Sequence, residues 1–155
     1  MRVLVAYSDD DGTSAGTARL IGETLERQGL HSVVCPVEAA RPDGFDAVVL
    51  GSTARAGHWR GRAVRFALAQ SDRLRRMPVW LFSNSPAGDV LAPERPIDIA
   101  PVEEAVVALD HRPFLAAAVP APSWTPRALV PDTGEVRCWA DQIAANLQAR
   151  ELSRT

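Results

Sequence analysis

The sequence predicts an α/β fold, a doubly wound five-stranded parallel sheet with helices on both faces. Three observations carry that prediction. Short apolar runs suited to buried strands recur along the 155 residues. Segments with helical spacing lie between them, and this alternation implies a parallel sheet covered on both faces. Right-handed crossovers then restrict the topology to a doubly wound sheet.

Each element follows from its own residues. Val3–Tyr7 reads as a buried strand. A helix follows from about Ser14 to Gln28, with Ala18, Ile21 and Leu25 on one face, and Gly29 ends it. Ser32–Val37 is a second strand, and Asp46–Leu50 a third, running into Gly51 and Ser52. Arg62–Ser71 has helical spacing through Val64, Ala67 and Leu68. Pro78–Phe82 is a fourth strand that ends in the loop SNSPAGD. Val102–Leu109 is a helix with Pro101 at its first turn. Pro113–Val119 is the fifth strand, and Pro120–Thr133 a Pro-rich surface connection. The last helix, Val136–Leu147, aligns Val136, Trp139, Ile143 and Leu147.

Composition narrows the function. A chain of 155 residues, 46% of them apolar, is expected to form one domain spanning residues 1–155. A net charge of −2 gives no basic footprint for nucleic acid. There is no apolar run long enough to span a membrane, and a strand stands where a signal peptide would. A soluble, cytoplasmic protein without an integral membrane segment is expected. Cys35 and Cys138 lie too far apart in sequence to suggest a disulfide framework and are expected as buried free thiols. All 17 basic residues are Arg. Without Lys, a Walker-type phosphate loop, a Ser–Lys hydrolase, a Schiff-base enzyme and a normal receiver domain are excluded.

Ligands of such sheets sit beyond the C-terminal strand ends, where strand order reverses. The loops in that place are Ser8–Ser14, Ser52–Trp59 and Ser83–Asp89. In the first, Gly12, Thr13 and Ser14 open a helix directly after a strand, presenting free N–H groups and a positive dipole end suited to phosphate. Asp9, Asp10 and Asp11 occupy the same turn. A carboxylate about 5 Å from a phosphate charge costs roughly 3 kcal/mol at an effective dielectric near 20. Arg55, Arg60 or Arg62 is positioned to offset it. Alternatively, the triplet is a solvated turn that favours helix initiation. Three adjacent carboxylates do not converge on one cation without a special turn, so no metal site is assigned.

Three segments in register, VLVAYSDDDGTSAGTA, FDAVVLGSTARAGHWRGRAVRF and MPVWLFSNSPAG, resemble the flavodoxin family. The resemblance covers nearly the whole chain and is nearest to the branch containing menaquinone-dependent protoporphyrinogen oxidase. It is carried by Gly12, Ser14, Ala18, Gly51, Ser52, Arg55, Gly57 and His58, with aromatic Trp59 next. The resemblance implies strand order 2-1-3-4-5 and FMN as cofactor. Ser8, Asp9, Asp10, Asp11, Gly12, Thr13 and Ser14 would then form the phosphate loop. Ser52, Thr53, Ala54, Arg55, Ala56, Gly57, His58 and Trp59 would lie against one face of the isoalloxazine. Ser83, Asn84, Ser85 and Gly88 would lie along its edge. Trp59 is the aromatic candidate for stacking, and backbone amides near the flavin would tune its potential.

The chain departs from that pattern at three points. In the phosphate loop, Asp9 stands where relatives usually carry Ser or Thr and Asp10 where they are commonly basic or polar, and a carboxylate cannot donate a hydrogen bond. Ala56 stands where relatives often carry a ring. The connection from the fifth strand to the last helix is shorter than in protoporphyrinogen oxidases. The resemblance therefore implies an FMN-binding redox protein that exchanges electrons with a partner protein or oxidises a small substrate such as a quinone. No catalytic side chain is assigned. The competing expectation is a degenerate flavodoxin-like domain that binds no FMN and serves as an interaction or regulatory module. The Arg cluster over 55–65 reads equally as a solvated helix face or a docking patch. His31, His111, Trp80, Trp124 and Trp139 read as structural residues.

Overall fold

Val3 to Ala6 and Ala47 to Leu50 are two runs of consecutive buried residues. A strand can bury successive side chains only with a layer packed on each face. The computed structural model describes residues 1–9, 12–55, 57–86, 98–118 and 129–154. Their elements are β1 (Arg2–Ser8), α1 (Thr13–Arg27), β2 (His31–Pro36), β3 (Ala47–Arg55), β4 (His58–Trp59) and α2 (Gly61–Ala69). Then come α3 (Ser71–Leu74), β5 (Val79–Pro86), α4 (Ala100–Val106), β6 (Asp110–Ala118), β7 (Leu129–Pro131) and α5 (Thr133–Ser153).

The sheet order is β2-β1-β3-β5-β6-β7, with β4 paired to β3. The first five of these strands are parallel, in the expected 2-1-3-4-5 order. Strand order therefore reverses between β1 and β3, which places the ligand crevice over their C-terminal ends. One face of the sheet packs Val3, Val5, Val49 and Phe82 against Ile21 and Leu25 of α1 and Trp139 and Ile143 of α5. The other packs Leu4, Leu50 and Leu81 against Ala63 and Phe66 of α2, Leu74 of α3 and Val102 and Val106 of α4. Trp139 stands edge-on to Phe114 and Phe82 at centroid separations of 5.6 and 6.4 Å. Gly51 is required there: a Cβ at this position would lie 2.0 Å from the Phe82 ring.

Several boundaries differ from expectation. The third and fourth strands run on to Arg55 and Pro86, so Ser52–Arg55 and Ser83–Pro86 are strand rather than loop. Their small hydroxyl and amide residues continue the ladder, with Ser52 opposite Ser83 and Thr53 opposite Asn84. The rest of the expected 52–59 loop includes β4, antiparallel to the end of β3. The single helix expected over 62–71 breaks at Gln70, where φ is −102°, into α2 and α3. The expected connection 120–133 contains β7, antiparallel to β6, and the start of α5. Neither cysteine is the buried thiol expected: Cys138 is exposed on α5, and Cys35 is half-buried at the margin of the core cluster on the α2–α4 face. Asp10, Asp11, Ala56, Gly88 and Trp124 lie outside the described residues. No helix among the described residues is long and apolar enough to cross a membrane.

Candidate functional site

Three strands and one helix bring the site together. Gly12 precedes α1 with φ +89°, a left-handed conformation that glycine adopts without strain. That turn folds the chain back so that Asp9 reaches the helix end. Asp9 Oδ1 accepts the Gly12 N–H at 2.9 Å, and Oδ2 accepts the Ala15 N–H at 2.8 Å. These are donors that the start of a helix leaves without intrahelical partners. The acid flagged as the phosphate's antagonist thus binds part of the cradle that would hold a phosphate.

Beneath this turn lies a seam of buried polar side chains. Ser8, Thr13, Ser14, Thr17, Ser52, Thr53, Ser83 and Asn84 are all buried. Alternation along the strands divides them between the faces. On the α1 side, Ser14 Oγ lies 3.1 Å from Thr53 Oγ1. Asn84 Nδ2 donates to Thr17 Oγ1 at 3.0 Å, and that hydroxyl donates to the Thr13 carbonyl at 3.1 Å. Asn84 Oδ1 is buried and has no hydrogen-bond partner among the described residues. Burying such an acceptor unpaired costs about 1–3 kcal/mol, so an incoming donor would be favoured there.

On the opposite face, Ser8, Ser52 and Ser83 occupy one register row across β1, β3 and β5. Ser52 Oγ donates to the Thr53 carbonyl at 2.9 Å and accepts from the Arg60 N–H at 3.2 Å, closing the hairpin onto α2. Trp59 Nε1 donates to Ser83 Oγ at 2.6 Å, and His111 Nε2 lies 2.7 Å from the same oxygen. Trp59 is buried in the core beside α2 and α4, so it serves first as an anchor. It also lines a cleft of about 160 Å³ with His58, Val64, Asp98, Ile99, Pro101 and Val102. The Asp98 N–H donates to the Gly57 carbonyl at 2.8 Å, tying the hairpin turn to the approach to α4. Burial lowers the His111 pKa from its ordinary value, against the pull of the Glu103 and Asp110 carboxylates, which raises it.

The structure therefore brings together Ser8, Asp9, Gly12, Thr13, Ser14, Ser52, Thr53, Ser83 and Asn84. Ala54 is buried in the core, Arg55 and His58 are exposed, and Ser85 is partly buried beyond the seam. Arg62 pairs with Glu38 at 3.2 Å, a contact that draws its charge to the end of β2. Thr17 and His111 belong to the site but were not singled out for it. Thr17 was within reach of sequence reasoning, because it follows Thr13 by one helical turn. His111 was not, since its partner lies 28 residues away on a neighbouring strand.

A flavodoxin domain profile matches residues 4–104, and the chain belongs to that family. Protoporphyrinogen IX dehydrogenase [quinone] from Escherichia coli K12 is 28% identical over 86 residues, covering 54% of this chain and 48% of the relative. The chain thus spans about half the length of the curated relatives it matches. Among solved structures, a cysteine-to-serine mutant of the flavodoxin from Pseudomonas aeruginosa has a TM-score of 0.67 at 16% identity, with 96% of this chain and 99% of that one covered. The rubredoxin oxygen:oxidoreductase of Desulfovibrio gigas also gives 0.67, at 15% identity, over 96% of this chain and 36% of its own. At such identities the likeness establishes the fold.

Measured against FMN, the two parts of the site behave differently. The seam's hydroxyls and unpaired acceptor match a polyol in chemistry, although they are buried as folded. The helix end offers a phosphate two N–H groups that already serve Asp9, and so does not fit it as folded.

Proposed function

We propose that this domain holds a flavin over the C-terminal ends of β1, β3 and β5 and serves in electron transfer, either to a partner protein or to a small acceptor such as a quinone. The observation that carries the reading is the buried, unpaired Asn84 carbonyl oxygen at the C-terminal end of β5, next to β3 and the β1–β3 reversal of a flavodoxin-family sheet. Asn84, Thr17, Ser14 and Thr53 would hold the polyol. The β3–β4 hairpin, anchored by Trp59, would flank the ring system together with the end of β5. A bound flavin supplies hydride and single-electron transfer, while the protein binds, orients and excludes water. The quinone named for the Escherichia coli relative supports a quinone as acceptor.

The visible spectrum of the purified chain, followed by flavin titration with fluorescence quenching, tests this reading. Flavin absorption bands or saturable quenching would support it. A colourless protein that leaves flavin fluorescence unchanged would instead favour a cofactor-free interaction module. The closure of the helix end by Asp9 is the observation on that side.

A further inference from the structure

We infer that the Asp9 carboxylate stands in for the ligand's phosphate, so that the site takes a flavin without a terminal phosphate, riboflavin, in preference to FMN. The inference rests on the flavin reading above, and two observations carry it, one for the preference between the flavins and one for the flavin itself. The first is occupancy of donors. A backbone N–H has one hydrogen, and those of Gly12 and Ala15 are directed to Asp9 Oδ1 and Oδ2 at 2.9 and 2.8 Å. A phosphate seeking them must displace a carboxylate that is part of the same turn, and the positive end of α1 already has its negative partner. A dianion placed beside that carboxylate also meets like charge, a repulsion that salt screens.

The second observation concerns what the site still lacks. Asn84 is 1% exposed, and its Oδ1 has no partner among the described residues. Its amide group is tied to the first turns of α1 through Thr17. An unpaired acceptor calls for a hydrogen-bond donor. A phosphate dianion brings acceptors only, whereas each polyol hydroxyl can donate. The unfilled demand is thus for the polyol that riboflavin and FMN share, while the demand for an anion, which separates them, is met from within the chain.

The test compares riboflavin and FMN by fluorescence-quenching titration of the purified chain, at low and high salt. Riboflavin is expected to bind about tenfold or more tightly than FMN, equivalent to about 1.4 kcal/mol. FMN affinity should rise with salt as the repulsion is screened, and riboflavin affinity should not. Asp9→Thr should raise FMN affinity about tenfold and move riboflavin by less than about threefold. FMN binding as tightly as riboflavin to the unaltered chain overturns the inference and leaves the flavin reading standing. No quenching of either flavin, in the unaltered chain or in Asp9→Thr, overturns the flavin reading itself. Binding of FMN by Asp9→Thr alone, with neither flavin bound by the unaltered chain, also overturns the stated preference. Should the variant fail to fold, the riboflavin–FMN comparison in the unaltered chain decides.

Discussion

The two faces of the sheet meet the same difficulty at its C-terminal edge and resolve it differently. On the α2–α4 face, Ser83 sits between Trp59 and His111, and both contacts are shorter than 3 Å. On the α1 face, Asn84, the next residue, has its amide nitrogen bonded to Thr17 and its carbonyl oxygen unpaired. Neighbouring residues on one strand thus illustrate a closed polar network and an open one. A closed network contributes to folding, whereas an open one stores a cost that a ligand can relieve. Under the proposed function, the α1 face is the binding side and the α2–α4 face its support.

The largest expected effect falls on the closed side. Trp59→Ala would empty a buried ring position and leave the Ser83–His111 pair without its indole donor. A loss of about 3–5 kcal/mol is expected, read from chemical denaturation. Trp59→Phe should cost less, because most of the packing is kept. Equal losses for the two variants would show that packing contributes little there.

Next in size is the substitution that would reverse the comparison. Ser83→Ala leaves the Trp59 N–H without its acceptor in the core, and a loss of about 1–3 kcal/mol is expected. Asn84→Ala gives up the bond to Thr17 but also removes the unpaired oxygen, so its stability should change by less than about 1 kcal/mol. Similar losses at both positions would mean that the Asn84 network is closed as well, and the α1 face would lose its distinction. Asp9→Ala belongs between these two, because it removes both carboxylate contacts at the start of α1 and should cost about 1–2 kcal/mol.

How much of this was legible in the sequence follows from the same residues. The five parallel strands and the main helices were, since β1 and β3 are runs of apolar residues and α1 and α5 carry apolar residues at helical spacing. Gly12 was too, because a glycine between a strand and a helix marks a turn. The short β4 and β7 and the break between α2 and α3 were not. The polar seam was misread as loop, because hydropathy equates polarity with exposure. Ser52, Thr53, Ser83 and Asn84 are instead buried in strands and pair with residues far along the chain. The destination of Asp9 was hidden for a related reason. Its carboxylate reaches Ala15 only because of the left-handed turn at Gly12, and spacing alone does not say whether an acid faces inward.

The smallest effect is a pH dependence at the outer end of the closed network. Burial lowers the His111 pKa from its ordinary value of 6.5, with Glu103 on α4 and Asp110 on β6 acting in the opposite sense. Arg112, 3.7 Å from Asp110, weakens the attraction from that side. A base with a lowered folded-state pKa binds its proton more weakly when folded than when unfolded. Its contribution to stability is therefore complete above the unfolded pKa of about 6.5 and declines as the pH falls towards the folded value. The hydrogen bonding gives the same sign. Neutral His111 can accept the Ser83 hydroxyl proton at Nε2, but protonated His111 can only donate, and the hydroxyl must then turn its hydrogen away from His111 while still accepting from Trp59. Denaturation midpoints measured between pH 7.5 and 5.5 should fall more steeply for the unaltered chain than for His111→Gln. The indole N–H resonance of Trp59 should shift over the same window in the unaltered chain only. Parallel stability curves would show that His111 is not coupled to folding, and an indole resonance that stays fixed would detach it from Trp59, leaving Ser83 and Trp59 as a closed pair without a titrating partner.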